Sequence, residues 1–311
     1  MTLSKLLKLP HKIQYWLRLT LFFVISLTVA LITIPILLGA LFTLGLIYAP
    51  CTENAHTPAA HGLTEWEEVT LPAQAGGEFR GYFIPSASGA TIIIPPTGAA
   101  GRDGRLAEAA MLARHGYAVL LFESRRCAGM GPLTLGYAEV SEVADAVDYL
   151  TTRREVDPER LGVYGFSTAG ATAIMAAAQL PRLHAVIAEG GYGDFLENAL
   201  AQEPGHSVMA YFLRLYRWGS RWAYQWGTGL ELEQLSPVTV IPRIAPRPIL
   251  LIYGSREVSL PGGVKQQDAA GPNATLWVVD GASHGEYRVV APEAYEVRVV
   301  GFFDEALAVK E

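Results

Sequence analysis

The chain has 311 residues, of which 50% are hydrophobic and 17% are charged, and its formal net charge is −6. This acidic balance argues against a nucleic-acid-binding protein, which would carry a basic surface. The two cysteines, Cys51 and Cys127, could pair outside the cell but are too few to build a disulfide-stabilised domain.

An uncharged, strongly apolar segment runs from Leu19 to Tyr48. As a helix it would be about 45 Å long, whereas the hydrocarbon core of a bilayer is about 30 Å thick. Residues 19–48 are therefore predicted to form one tilted transmembrane helix. Two spans would need about 40 residues, so a hairpin bent at Pro35 is the weaker alternative. Because the apolar region of a signal peptide has only roughly 7–15 residues, we expect an uncleaved signal-anchor.

The charges that flank this segment predict its orientation. Residues 1–18 contain no acidic residue, and their basic residues are Lys5, Lys8, Lys12 and Arg18. Beyond the segment, the first basic residue is Arg80. Since basic residues favour the cytoplasmic side of a membrane, residues 1–18 are predicted to be cytoplasmic and the rest of the chain extracytoplasmic.

Residues 49–65 are predicted to form a short tether, and residues 66–311 one α/β domain. Strands are predicted at Trp66–Leu71, Glu78–Ile84, Thr91–Ile94, Ala118–Phe122, Leu161–Tyr164, His184–Ala188, Pro248–Tyr253 and Thr275–Val279. Helices are predicted at Leu106–Arg114, Val140–Thr152, Ala171–Leu180 and Tyr295–Val309. Apolar strands that alternate with helices indicate a mostly parallel sheet covered on both faces.

An aromatic-rich insertion interrupts this alternation at about residues 191–245. Its pattern is mostly helical. Two interpretations stay open at this point. The insertion could be a helix packed onto the body by its aromatic face, or a cap that provides an acyl-binding wall over the active site.

A nucleophilic serine is predicted in Gly165-Phe166-Ser167-Thr168-Ala169-Gly170. An apolar strand precedes this sequence and a helix follows it, which is the strand–turn–helix context of a nucleophile elbow. The helix N-terminus behind Ser167 supplies backbone N–H groups and a positive dipole end.

A base and an orienting acid follow Ser167 in the chain. His284 lies in a Gly-rich loop after the last predicted strand, and Glu257 follows the strand that ends at Tyr253. The order serine, acid, histidine is that of the nucleophile-elbow enzymes. Asp280 and Asp194 are the alternative acids.

These motifs resemble the α/β-hydrolases, especially membrane-tethered members related to the dienelactone-hydrolase, acyl-peptidase and lipase branches. The resemblance covers residues from about Trp66 to the C-terminus and implies Ser167 as nucleophile, Glu257 as acid and His284 as base. Family members usually have Asp where Glu257 stands.

The loop after the third predicted strand also departs from the family, which usually has His-Gly there. This chain has Pro95-Pro96-Thr97-Gly98-Ala99. Proline has no N–H group, so the first oxyanion-hole amide must come from Thr97, Gly98 or Ala99. We predict Gly98, with the amide of Thr168 as the second donor.

The sequence thus predicts a serine hydrolase that cleaves a small acyl substrate, with carboxylic esters or thioesters favoured. The alternatives are a serine peptidase or amidase of the same fold, a non-catalytic α/β-hydrolase-fold binding protein, and a membrane-assembly subunit. No metal or organic cofactor is predicted, because the sequence has neither paired metal-ligand spacing nor a phosphate-binding loop. Carboxylate-bearing substrates could be bound by arginines, namely Arg102, Arg105, Arg125 or Arg126.

Overall fold

A computed structural model of the protein describes residues 10–53, 55–195 and 205–309. The predicted cytoplasmic residues Lys5 and Lys8 lie outside these ranges, as do residues 196–204 of the predicted insertion.

Within the described residues, eight strands form one sheet in the order β1-β2-β4-β3-β5-β6-β7-β8. The strands β1 and β2 are antiparallel to each other, β2 is antiparallel to β4, and the pairs from β4 to β8 are parallel. The bounds are β1 Glu67–Pro72, β2 Glu78–Ile84, β3 Thr91–Ile94, β4 Ala118–Phe122, β5 Leu161–Phe166, β6 Leu183–Glu189, β7 Ile249–Gly254 and β8 Ala274–Val279. This mostly parallel sheet confirms the predicted fold class.

The helices cover both faces of the sheet. Their bounds are α1 His11–Ile47, α2 Leu106–Arg114, α3 Tyr137–Thr151, α4 Thr168–Ala177, α5 Val208–Thr228, α6 Pro237–Val240, α7 Leu260–Ala270, α8 Tyr287–Val290 and α9 Pro292–Ala306. The helices α3 and α4 contribute to one buried apolar cluster, and α2 and α9 contribute to the other. Because β5, β6 and β7 are parallel neighbours, their carboxyl ends meet at one edge of the sheet, where parallel α/β sheets place their sites.

The N-terminal helix α1 is longer than predicted. It begins at His11, directly after Pro10, and continues through Pro35, so the hairpin alternative does not form. In the described part of the chain it is the one helix long and apolar enough to cross a membrane. Its last turn is held by the domain, because the amide of Leu133 donates to the carbonyl of Ile47.

The first residues of the predicted tether contact the domain. Thr52 pairs with the loop after β3: its amide donates to the carbonyl of Ala99 at 2.9 Å, and its carbonyl accepts from the amide of Gly101 at 2.8 Å. Cys51 forms a disulfide with Cys127. Backbone pairing and the covalent bond thus fix the end of α1 relative to the predicted oxyanion loop.

We expect Cys51→Ser/Cys127→Ser to lower the free energy of unfolding of the protein. The disulfide joins residues 76 positions apart, and cross-links of such long loops remove about 4 kcal/mol of denatured-state freedom. The midpoint of urea unfolding measures the change, with and without a reducing agent. Reduction should shift the wild-type midpoint to that of the double variant and leave the variant unchanged. A wild-type midpoint that does not respond to reduction would contradict the prediction.

Candidate active site

The turn between β5 and α4 holds Ser167 in a strained backbone conformation. Its φ is 56° and its ψ is −123°, a region that L-residues rarely occupy outside functional sites. The turn is tight: a Cβ on Gly165 would lie 2.1 Å from the carbonyl oxygen of Ala169. The amide of Ser167 donates to the carbonyl of Glu189 at 2.7 Å, which ties the turn to the end of β6.

The structure brings the three predicted side chains together in one hydrogen-bonded chain. The Oγ of Ser167 lies 3.0 Å from Nε2 of His284. The Nδ1 of the same ring lies 2.6 Å from Oε1 of Glu257. A serine hydroxyl, an imidazole and a carboxylate in this arrangement can perform general-base-assisted nucleophilic attack.

The carboxyl of Glu257 is buried and stabilised in its charged form. Burial alone would raise its pKa, but hydrogen bonds from His284 and the Gly254 amide outweigh that effect and lower the pKa below its usual range. The hydroxyl of Ser259 also donates to Oε1 at 3.2 Å. Glu257 therefore remains an acceptor that can hold His284 in one tautomer and orientation.

The predicted oxyanion-hole residues are adjacent, but one of their amides is occupied. The N–H of Gly98 donates to the Oγ1 of Thr168 at 3.0 Å. Thr168 is the first residue of α4, and the first amides of a helix have no partner within the helix. The Thr168 hydroxyl accepts from Gly98 and keeps its own proton as a further donor at the same place.

Other polar candidates of the sequence have separate partners. Asp280 accepts from the hydroxyl of Ser255 at 3.2 Å. The four predicted carboxylate-binding arginines contact other groups: Arg102 pairs with Glu53 and Glu68, Arg105 covers the ring of Phe166, Arg125 pairs with Glu142, and Arg126 donates to the carbonyl of Ala49. Arg256, which the sequence did not single out as a substrate-binding residue, lines the same pocket as Ser167 and His284.

A cleft of about 450 Å³ opens at Ser167 and His284. Its apolar wall includes Tyr192 and Phe195, the first part of the predicted cap insertion, together with Val258. The long helix of that insertion, α5, packs mainly along α1. The start of the insertion thus lines the cleft, whereas its long helix packs on α1 and leaves its tryptophans exposed. Among the described residues no cluster of His, Cys, Asp or Glu could hold a metal ion.

Sequence reasoning missed two neighbours of the histidine. Gly190 has a φ of +55°, and a Cβ there would lie 2.4 Å from the Tyr287 hydroxyl, 2.8 Å from Nδ1 of His284 and 2.9 Å from Oε1 of Glu257. The ring of Phe166 packs against His284 with 4.7 Å between centroids. The Gly190-Gly191 pair directly after a strand was the available signal for a close approach of the backbone.

A buried carboxyl lies directly behind the nucleophile turn. Glu189 lies within hydrogen-bond distance of the hydroxyls of Tyr164 at 2.7 Å and Tyr295 at 2.6 Å, and the two hydroxyls are 2.7 Å apart. The two hydroxyl protons can fill only two of these three contacts, so a proton on the carboxyl, donated to one of the hydroxyls, fills the third. Burial raises the pKa of Glu189 to about 7, although the tyrosine hydrogen bonds act in the opposite direction.

We expect Glu189→Gln to flatten the pH dependence of stability. The pKa of Glu189 is about 7 in the folded protein against an ordinary 4.5, so the native state keeps a proton that the unfolded chain releases. The free energy of unfolding should therefore fall as pH rises through this window, by up to about 3 kcal/mol. The side-chain amide of glutamine keeps a hydrogen-bond donor and an acceptor at this position but does not titrate.

Urea unfolding at pH 5 and pH 8 measures this effect. The difference between the two pH values should be smaller in Glu189→Gln than in the wild type, while Glu293→Gln, at an exposed carboxyl, should behave like the wild type. An unchanged difference in Glu189→Gln would contradict the assignment.

Comparison with known proteins gives the same architecture. The family model of the X-Pro dipeptidyl-peptidase (S15 family) matches residues 47–215, which include Ser167. The uncharacterized protein PA2218 of Pseudomonas aeruginosa is 25% identical over 301 residues, covering 79% of this chain and 78% of that protein.

Solved structures share the fold at low sequence identity. The Pyrococcus furiosus esterase Pf2001 has a TM-score of 0.66 at 22% identity, over 85% of this chain and 99% of that one. A puromycin-hydrolyzing peptidase of Mycobacterium tuberculosis has a TM-score of 0.61 at 18% identity, over 79% of this chain and 40% of that one. With a family match over more than half of its length, the chain belongs to the X-Pro dipeptidyl-peptidase (S15) family and is a hydrolase of the α/β-hydrolase fold.

Proposed function

We propose that the protein is a serine hydrolase that cleaves carboxylic esters or thioesters through Ser167, His284 and Glu257. The observation that carries the proposal is the continuous contact from Ser167 Oγ through the two ring nitrogens of His284 to Oε1 of Glu257. A non-catalytic binding protein would have no need of a strained serine aligned with a base and an acid.

In the proposed reaction, Ser167 Oγ attacks the acyl carbonyl while its proton passes to Nε2 of His284. The negative charge of Glu257 stabilises the imidazolium that forms. The oxyanion is stabilised by the Thr168 amide and by the Gly98 amide, provided that Gly98 shifts its hydrogen bond from the Thr168 hydroxyl. His284 then protonates the leaving alcohol or thiol. Water, deprotonated by His284, then attacks the carbonyl of the acyl-enzyme, and the proton on His284 passes to Ser167 Oγ as the acyl–oxygen bond breaks and the acid leaves.

The cleft favours esters over the substrates of an X-Pro dipeptidyl-peptidase. An enzyme that removes dipeptides must recognise the ammonium group at the substrate's N-terminus, and a carboxylate is the matching partner. Among the described residues that line the cleft, the carboxylate present is Glu257, which is buried and bonded to His284. The family match makes peptide-bond cleavage the second candidate.

We further propose that α1 anchors the enzyme in a membrane, with its N-terminus in the cytoplasm and the catalytic domain outside. The length and apolar character of α1 support a single span, and the basic residues among residues 1–18 support the orientation. The disulfide between Cys51 and Cys127 agrees with an oxidising compartment.

A substrate panel tests the proposed activity. The full-length protein in detergent is assayed with p-nitrophenyl esters and acyl thioesters of graded chain length, and with X-Pro p-nitroanilides. We expect hydrolysis of esters or thioesters to exceed that of the anilides in kcat/KM. Faster cleavage of X-Pro anilides would favour the peptidase, and turnover of none of these substrates would favour a binding protein.

A further inference from the structure

The helix α5 contacts α1 at backbone distance. A Cβ on Gly219 would lie 2.0 Å from the carbonyl oxygen of Ile36, and one on Gly39 would lie 2.0 Å from that of Tyr216. The hydroxyl of Ser220 donates to the Gly39 carbonyl at 3.1 Å. Glycines at such crossings let two helices approach closely, as they do between helices in membranes.

The two helices run side by side toward the catalytic domain. Near their C-terminal ends, the Tyr48 hydroxyl donates to the carbonyl of Gly227 at 3.2 Å. Tyr224 is fully buried and its hydroxyl donates to the carbonyl of Thr134 in the domain. Since α1 and α5 are both fixed to the domain at this end, α5 has a defined position relative to α1.

The helix α1 is too long to lie wholly within a bilayer. Its 37 residues span about 55 Å, against about 30 Å for the hydrocarbon core. The buried residues of α1 begin only at Pro35. Among them, Gly39 contacts α5 and the carbonyl of Ile47 accepts from the domain. If α1 crosses the membrane, α5 therefore accompanies the part of α1 that reaches the outer surface.

The exposed side of α5 carries a stripe of tryptophans. Trp218, Trp222 and Trp226 are 57%, 53% and 68% exposed, and their spacing of four residues places them on one helix face. The rings of Trp222 and Trp226 are stacked with centroids 6.3 Å apart. Three exposed tryptophans in a row form an apolar patch of the kind that marks an interaction site.

The charged residues of α5 are basic. Arg217 and Arg221 are four residues apart and lie beside the tryptophans on the helix surface, and Arg214 lies four residues before Trp218 in the same row. Arg221 forms an ion pair with Glu233. Tryptophan and arginine side chains together are typical of helix segments anchored at a membrane interface.

We propose that the tryptophan stripe of α5 lies in the interfacial layer of the lipid bilayer that α1 crosses. The inference rests on the proposed membrane anchor. Continuity with α1 identifies the occupant as lipid, because the stripe belongs to a helix packed directly on the span. Tryptophan rings prefer the headgroup level of a bilayer, so α5 is a second membrane contact that holds the catalytic domain at the surface.

Fluorescence quenching by brominated lipids tests this contact in the full-length protein reconstituted into lipid nanodiscs. Trp16→Phe/Trp66→Phe/Trp277→Phe leaves only the stripe of α5 as emitters, since the chain has six tryptophans. Lipids brominated in the upper part of their acyl chains should lower this emission roughly two-fold relative to unbrominated nanodiscs, as expected for rings buried about 5–10 Å below the surface.

Two matched variants distinguish a failure of the membrane anchor from a failure of the contact between the stripe and lipid. A variant whose one tryptophan is introduced by Phe23→Trp, inside the predicted span and exposed in α1, reports whether α1 is inserted. A variant that keeps only Trp66 and Trp277, which pack in the domain against Tyr82 and Tyr295, gives the level without membrane contact. A quenched tryptophan at position 23 with an unquenched stripe would overturn this inference and leave the anchor intact. An unquenched tryptophan at position 23 would overturn the anchor and the inference together.

A second copy of the chain is the competing occupant of the stripe. Crosslinking of the same nanodisc sample distinguishes it. We expect a monomer whose stripe is quenched by lipid. A dimer whose stripe is protected from brominated lipid, and becomes quenched when Trp218→Gln/Trp222→Gln leaves Trp226 alone in a monomer, would overturn the proposal.

Discussion

Ser167→Ala is expected to abolish ester hydrolysis, with kcat falling by roughly 10⁶-fold because the nucleophile, and with it the acyl-enzyme pathway, is lost. The hydroxyl is the only group that the substitution removes, since an alanine methyl fits the space of the serine side chain. The fold should be unaffected or slightly stabilised. Initial rates on the best ester of the panel, with circular dichroism as the check on folding, measure the effect.

Ser283→Ala is the control for this substitution. Ser283 lines the same cleft and precedes the proposed base, but its hydroxyl is not in the chain of contacts that leads to Glu257. We expect its kcat to stay within about ten-fold of the wild type. If Ser167→Ala retained comparable activity, another group would have to be the nucleophile.

Gly190→Ala should inactivate the enzyme without replacing Ser167, His284 or Glu257. The new methyl group would lie within 2.9 Å of the hydroxyl of Tyr287, Nδ1 of His284 and Oε1 of Glu257. These groups must move apart, and a displacement of about 1 Å in a catalytic site can cost about 100-fold in rate. We expect kcat/KM for the best ester to fall by at least that factor.

Gly116→Ala is the control for the loss of stability that an alanine causes at a positive φ. Gly116 also has a positive φ, of +85°, but nothing lies within 4 Å of its Cβ position. Both variants should lose about 1–2 kcal/mol of stability from the unfavourable conformation, whereas only Gly190→Ala should lose activity. Full activity in Gly190→Ala would show that the contact between His284 and Glu257 is not required.

Much of the fold was predictable because its signals are local. Each parallel strand is a short apolar run, and the bounds predicted for β2, β3 and β4 agree with the structure. The side chains of Ser167, Glu257 and His284 could be named because each follows its own strand and parallel strands end at one edge. Their placement in one site followed from topology rather than from any single motif.

The remaining features depend on contacts that no local pattern encodes. Residues 49–65 are predicted to form a tether because Ala55–Gly62 is small and polar, yet Thr52 pairs with Ala100, in a loop far along the chain. The aromatic helix α5 shows apolar spacing, but that spacing does not say whether it covers the cleft or α1. The hydrogen bond between Gly98 and Thr168 likewise depends on how two separate turns meet.

Labelling with a fluorophosphonate tests the central claim most directly. The full-length protein is treated with the probe in detergent, and the modified peptide is located by mass spectrometry in the wild type, Ser167→Ala and His284→Ala. We predict one adduct on Ser167 in the wild type, none in Ser167→Ala and at least about 100-fold slower labelling in His284→Ala. A folded wild-type protein that remains unlabelled, or an adduct that persists in Ser167→Ala, would contradict the assignment of Ser167 as an activated nucleophile.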